Sequence, residues 1–140
     1  MPVKTKRWND PTELDDGFRL LICRYRPRGV RKKDETWDNW CKHLAPSEEL
    51  HAAFYGKGRR KPISWAAYRT RYLREMKGQE EQISALAERV ASGEIITLLC
   101  SSACTTPARC HRTLLAGLIQ ARLKEQPNHG CLTPAERVRR

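Results

Sequence analysis

Cys110, His111 and Arg112 stand in a row, and Cys100 and Cys104 precede them closely. A thiol, an imidazole and a guanidinium side by side can attack, move a proton and hold an anion. The thiolate is the nucleophilic form of cysteine, and a helix N-terminus or a nearby Arg lowers its pKa. An imidazole acts as acid or base near neutral pH. Cys110 and Cys100 are therefore the candidate catalytic thiols, and His111 is the candidate proton carrier. Other readings stay open. A small Cys packed in a core is a common case. Cys104 can resolve Cys100 or Cys110 as a redox pair. Four N/S ligands would suit tetrahedral zinc, but the spacing is not a paired C-x-x-C. Adjacent Cys110 and His111 do not readily reach one ion from a helix. The sequence assigns no metal ligand, and the cofactor stays unknown.

A second group is Arg24-Tyr25-Arg26-Pro27-Arg28-Gly29. Three Arg at i, i+2 and i+4 on an extended chain point the same way. Guanidinium forks bind phosphate or carboxylate in a bidentate manner, so this spacing suits an anion clamp. Arg24, Arg26, Arg28 and Arg112 are the candidate ligand-binding residues. The plainer alternative pairs Arg24 and Arg28 with Asp34 or Asp38.

These residues need elements to position them. Val3 to Trp8 predicts a short edge strand. Phe18 to Cys23 is a mostly apolar run that suits a buried strand, ended by Pro27 and Gly29. Trp37, Trp40, Cys41 and Leu44 fall at i, i+3, i+4 and i+7, which predicts a helix stopped by Pro46. Ser47 caps a second helix carrying Leu50 and Phe54 inward. Ile63 or Trp65 to Met76, and Gln79 to Ala91, predict two more, separated by Gly78. Ile95 to Cys100 is β-rich and almost continuously apolar, so it predicts a central parallel strand. Thr106 and Pro107 predict the N-cap and first position of a last helix. That helix turns Cys110, Leu114 and Leu118, and His111, Leu115 and Ile119, inward. Strands alternating with helices give an α/β class. In open α/β sheets ligands sit beyond the carboxyl ends of the strands. Both groups fall there, and they meet if their strands are neighbours.

Length and charge narrow the function classes. The chain has 140 residues, which suits one domain with its own core. A single domain is expected over 1–126, with a basic tail at 127–140. No apolar run approaches a membrane span, and residues 1–8 lack the apolar stretch of a secretory signal. Six cysteines without such a signal suit reduced thiols in a cytoplasmic protein. Lys plus Arg number 27 against 16 acids, a net +11. Residues 1–33 hold ten basic and four acidic groups, and residues 59–77 hold seven and one. Such a field attracts a phosphorylated or nucleotide-like small molecule, or nucleic acid. For the latter, Arg59-Arg60-Lys61 with Arg69, Arg71 and Arg74 near aromatic residues would form a groove.

Five ordered blocks resemble domain-of-unknown-function family 488, the YeaO-like proteins. They are Lys6-Arg7-Trp8-Asn9-Asp10-Pro11; Asp16-Gly17 through Arg24-Tyr25-Arg26-Pro27-Arg28-Gly29; and Trp40 through Leu44-Ala45-Pro46-Ser47 with Glu49-Leu50. Trp65, Tyr68, Arg71-Tyr72 and Glu75 form the fourth, and Leu98-Leu99-Cys100 with Cys110-His111-Arg112 and Leu115 the fifth. The resemblance implies a compact, Rossmann-like α/β domain with a small parallel sheet flanked by helices. It implies a site at Arg24, Arg28, Cys100, Cys110, His111 and Arg112, and it supplies no reaction. Cys23 stands where the family usually has Asp, Arg26 where it has Trp, and Ser102 where it has Glu. Cys104 is additional.

Overall fold

The computed structural model describes residues 3–58 and 61–124. Four parallel strands form one sheet: β1 (Val3–Arg7), β2 (Phe18–Leu21), β3 (Asn39–Trp40) and β4 (Ile96–Cys100), in the order β1-β4-β2-β3. The four helices are α1 (Glu48–Tyr55), α2 (Trp65–Met76), α3 (Glu80–Ala91) and α4 (His111–Lys124). This is the expected α/β class. All five residues of β4 are buried, as its central place requires. β1 is the expected edge strand, with Val3 opposite Ile96 and Arg7 opposite Cys100.

Strand alternation divides the apolar residues into two clusters. Val3, Leu20, Ile22, Ile96 and Leu98 face the helices and pack with Leu50, Tyr72, Leu86 and Leu115, so all four helices join one cluster. Leu21, Cys23 and Leu99 point the other way and are covered by Trp37, with Trp8, Val30 and Trp40 around them. Among the described residues, no α-helix residue enters that second cluster. One face is therefore covered by helices and the other mainly by the chain between β2 and α1, with Trp8 from just after β1.

Two expectations fail locally. The segment Trp37 to Leu44 is no helix. It forms the two-residue β3 and a 3-10 turn at Lys42–Leu44. Trp37 goes to the loop-covered cluster and Leu44 to the helix-side cluster, so the chain rounds the sheet edge here. That excursion mimics helical spacing. The second concerns α4. Thr106 and Pro107 open a 3-10 turn at Pro107–Arg109, then Cys110 is extended (φ −141°, ψ 142°) and α4 begins at His111. Cys131 and the segment 127–140 lie outside the described residues, as do Arg59 and Arg60.

A short turn feeds β2 through Gly17, at φ 62°. A Cβ placed there would stand 2.2 Å from the Ile95 carbonyl oxygen, the same oxygen that accepts from the Phe18 N–H at 2.9 Å. Gly17→Ala is expected to destabilise the domain by at least about 1–3 kcal/mol, from left-handed strain and displacement of that bond. Urea unfolding checks it, and an unchanged midpoint would refute the argument.

Candidate functional site

Leu21 pairs with Leu99, and the Ile22 N–H donates to the Leu99 carbonyl at 3.0 Å. The chains leaving the carboxyl ends of β2 and β4 therefore run out side by side. They enclose a cavity of about 510 Å³. Its floor is Cys23, Cys100, Cys104, Cys110 and His111, and its basic lining is Arg24, Arg26, Arg28, Lys57 and Arg109. Among the described residues no Asp or Glu lines it. Tyr25, His51 and Tyr55 form an aromatic wall, with ring centroids 5.2 Å and 4.7 Å apart across His51. Two contacts fix the helix that carries this wall. Ser47 caps α1, accepting from the Leu50 N–H and donating through its hydroxyl to Glu75 on α2 at 2.5 Å. The Tyr72 hydroxyl donates to the Leu44 carbonyl at 2.8 Å.

The arginines of the first loop have different duties. Arg24 donates through Nε to the Pro46 carbonyl at 2.8 Å, which aims its fork along the cavity wall. Arg26 is occupied: Nε and Nη2 bond Glu35 at 3.0 and 2.6 Å, Nη1 bonds the Val30 carbonyl, and the guanidinium stands over Trp37. Its fork closes the loop instead of standing free. Asp34 pairs with Arg31, and Asp38 accepts from the Arg19 N–H, so neither takes Arg24 or Arg28. Arg28 is exposed at the rim, and among the described residues its side chain has no hydrogen-bond or ion-pair partner; the same holds for Arg109.

The thiols gather at the floor. Cys100 ends β4 and its sulfur lies 3.2 Å from that of Cys110. Cys100, Cys104 and Cys110 hold their sulfurs within 4.8 Å of one another. Cys104 is half-buried in a turn fixed by its N–H on the Ser101 carbonyl and by Arg112 Nη2 on its own carbonyl at 3.3 Å. The neighbouring thiols of Cys100 and Cys110, and with them the positive Arg112, push the Cys104 pKa down. The Cys100 proton is held chiefly by Cys104, and the Cys110 proton by Cys100 and Cys104, so both pKa values rise. Of the three thiols, Cys104 is the half-buried one and the one whose pKa is lowered.

His111 is buried, and Nε2 lies 2.7 Å from the Ile22 carbonyl. That carbonyl can only accept, so Nε2 carries the hydrogen and Nδ1 is left bare, 4.0 Å from the Cys110 sulfur. Burial pushes the His111 pKa down to about 4. At neutral pH His111 is an uncharged base and no acid. Arg112 is 4% exposed and does not line the cavity, and its Nε has no partner among the described residues. It shapes the Cys104 turn from behind.

A family profile described as the active DUF488-N3 subclade matches residues 3–123. The chain belongs to the DUF488 family. An Escherichia coli relative named uncharacterized protein YeaO is 36% identical over 121 residues, covering 86% of this chain and 99% of its own. An uncharacterized protein of Mycobacterium tuberculosis is 31% identical over 122 residues, covering 86% and 95%. No solved structure matches. In this DUF488 chain, Cys100, Cys110 and His111 come together with Arg24 and Arg28, while Arg26 and Arg112 are committed elsewhere. Sequence reasoning names Cys104 only as a resolving thiol in one open reading and does not count it among the candidate site residues. The available signal was its place in a loop between two other thiols.

No described helix is long and apolar enough to cross a membrane.

Proposed function

We propose that the cavity binds a phosphorylated or nucleotide-like anion and presents it to the Cys104 sulfur. One observation carries this reading: a 510 Å³ cavity with five basic residues and no acid in its lining among the described residues. Among the described residues the Arg28 and Arg109 side chains have no partner, so an incoming phosphate gains their charge-assisted bonds in exchange for water alone. His51 lies within this cationic lining. Its pKa is lowered by burial first and then by Lys57 and Arg24. Tyr25, His51 and Tyr55 supply an aromatic surface on which a base can stack. A concave pocket of this size suits a small ligand better than a nucleic-acid backbone. The five free cysteines among the described residues suit a reducing, cytoplasmic compartment.

Calorimetric titration with ADP and with inorganic phosphate tests the reading. Arg28→Ala and Arg109→Ala should each weaken ADP binding about tenfold or more, at about 1.4 kcal/mol per tenfold. Both side chains are exposed, so melting temperatures should hardly move. Equal ADP affinity in the parent and both variants would sink the proposal. So would binding of oligonucleotides alone, with the steep salt dependence of many phosphate contacts.

A further inference from the structure

Three thiols within 4.8 Å at the floor of an open cavity can do more than attack a bound ligand. We infer that the trio reduces a hydroperoxide: the Cys104 sulfur attacks the peroxide, and Cys110 closes a disulfide onto it. The Cys104 thiolate takes the terminal peroxide oxygen, forming Cys104 sulfenic acid and breaking the O–O bond. The departing alkoxide takes a proton from solvent. The Cys110 sulfur then attacks the Cys104 sulfur, and hydroxide leaves with the Cys110 proton as water. The two sulfurs lose two electrons, and the peroxide gains them, becoming one alcohol and one water. A dithiol reductant resets the pair.

Geometry distributes the roles. Cys104 lines the cavity and is half-buried, so a small oxidant reaches it. Its lowered pKa supplies the reactive form. Cys100 is fixed in the ladder, its carbonyl accepting from the Trp8 N–H at 2.8 Å. Cys110 sits at the joint between a 3-10 turn and α4, in extended backbone. A disulfide needs sulfurs about 2.05 Å apart, and that approach falls to the loop that carries Cys104 and ends at Cys110. Zinc is the competing occupant. Its thiolates lie about 2.3 Å from the metal, which sets tetrahedral sulfurs roughly 3.8 Å apart. Cys100 and Cys110 are already closer, at 3.2 Å.

The test uses the reduced full-length protein and hydrogen peroxide, with remaining thiols alkylated and peptides mapped after trypsin. Cleavage after Arg109 separates Cys100 and Cys104 from Cys110. One equivalent of peroxide should consume two thiols and join the Cys104 peptide to the peptide beginning at Cys110. Cys110→Ser should leave a sulfenic acid on Cys104, captured by a cyclic dione. Cys104→Ser should slow peroxide consumption at least about tenfold. Cys41→Ser, whose thiol donates to Gln82 away from the cavity, should leave the rate unchanged. Three results would overturn the inference: Cys104 untouched by peroxide, a disulfide confined to Cys100 and Cys104, or a bound metal ion that shields the trio until a chelator removes it. ADP titration of the same reduced sample separates the two proposals. Peroxide chemistry lost with ADP binding intact refutes this one alone.

Discussion

Asp16→Ala is expected to cost the domain about 3–5 kcal/mol. Asp16 is 1% exposed, just before β2, and it is a hub. Lys4 reaches its Oδ1 at 2.9 Å, Lys6 its Oδ2 at 3.1 Å, and the Glu13 N–H its Oδ2 at 3.1 Å. Arg19, 3% exposed on β2, forms a close ion pair with it. The Asp16 carbonyl accepts from the Thr97 hydroxyl on β4 at 2.7 Å. One carboxylate thus joins β1, β2 and the turn between them, while its backbone reaches β4. Removing it leaves the buried Arg19 without its counter-ion, and Nη2 of that residue already lacks a partner among the described residues. Against a typical total of about 5–15 kcal/mol, the loss is a large fraction. Urea unfolding of Asp16→Ala and Asp16→Asn checks it. Asn keeps the shape and removes the charge, so a loss near zero in Asn would show that shape alone matters.

A second large effect follows from His111. Unfolded, its imidazole takes a proton near pH 6.5; folded, it stays neutral until about pH 4. The folded pKa is depressed, so the unfolded state binds more protons throughout that window. Stability is complete above about pH 6.5 and falls by about 1.4 kcal/mol per unit below it, by about 3 kcal/mol in all. His111→Gln, which keeps an N–H for the Ile22 carbonyl, should flatten the profile between pH 6.5 and 4. An unchanged slope would assign the acid sensitivity to another group. Asp16 acts in a different range. Burial pushes its carboxyl up, but Lys6, the Glu13 N–H and Lys4 outweigh burial and hold it well below the usual carboxylate range. Its contribution is present above about pH 4 and is lost only as pH falls through that depressed value.

How much of this was legible beforehand depends on how local the signal is. Phe18–Leu21 and Ile96–Cys100 are short apolar runs, and such runs become buried parallel strands wherever the chain sends them. Their adjacency, and with it the meeting of the arginine loop and the cysteine loop, follows from the carboxyl-end rule once both are in one sheet. Trp37 to Leu44 defeats the helical pattern because periodicity assumes that apolar residues share one side. Here the chain rounds an edge and deposits them on two sides. Thr106-Pro107 was a genuine start signal, but the extended Cys110 interrupts it before α4 can run. The pairing of Arg26 with Glu35 was hidden because both ends depend on a loop closure that no periodic pattern encodes. The state of Cys104 was hidden for the same reason, since its proton affinity is set by two sulfurs brought to it by β4 and by the approach to α4.

The strand order carries a consequence for how the chain is made. Among the described strands β1 pairs only with β4, joining Val3 to Ile96, and β2 needs β4 as its second neighbour. During synthesis from the N-terminus, β1 leaves the ribosome with no strand to join until the residues near 100 have emerged. The helices α1 to α3 can form early, but the face they must cover does not exist yet. Sheet closure is therefore a late event spanning most of the chain, the kind of non-local step that folds slowly. A chain halted before Cys100 holds two unpaired parallel edges, which invites capture by chaperones or association with other chains.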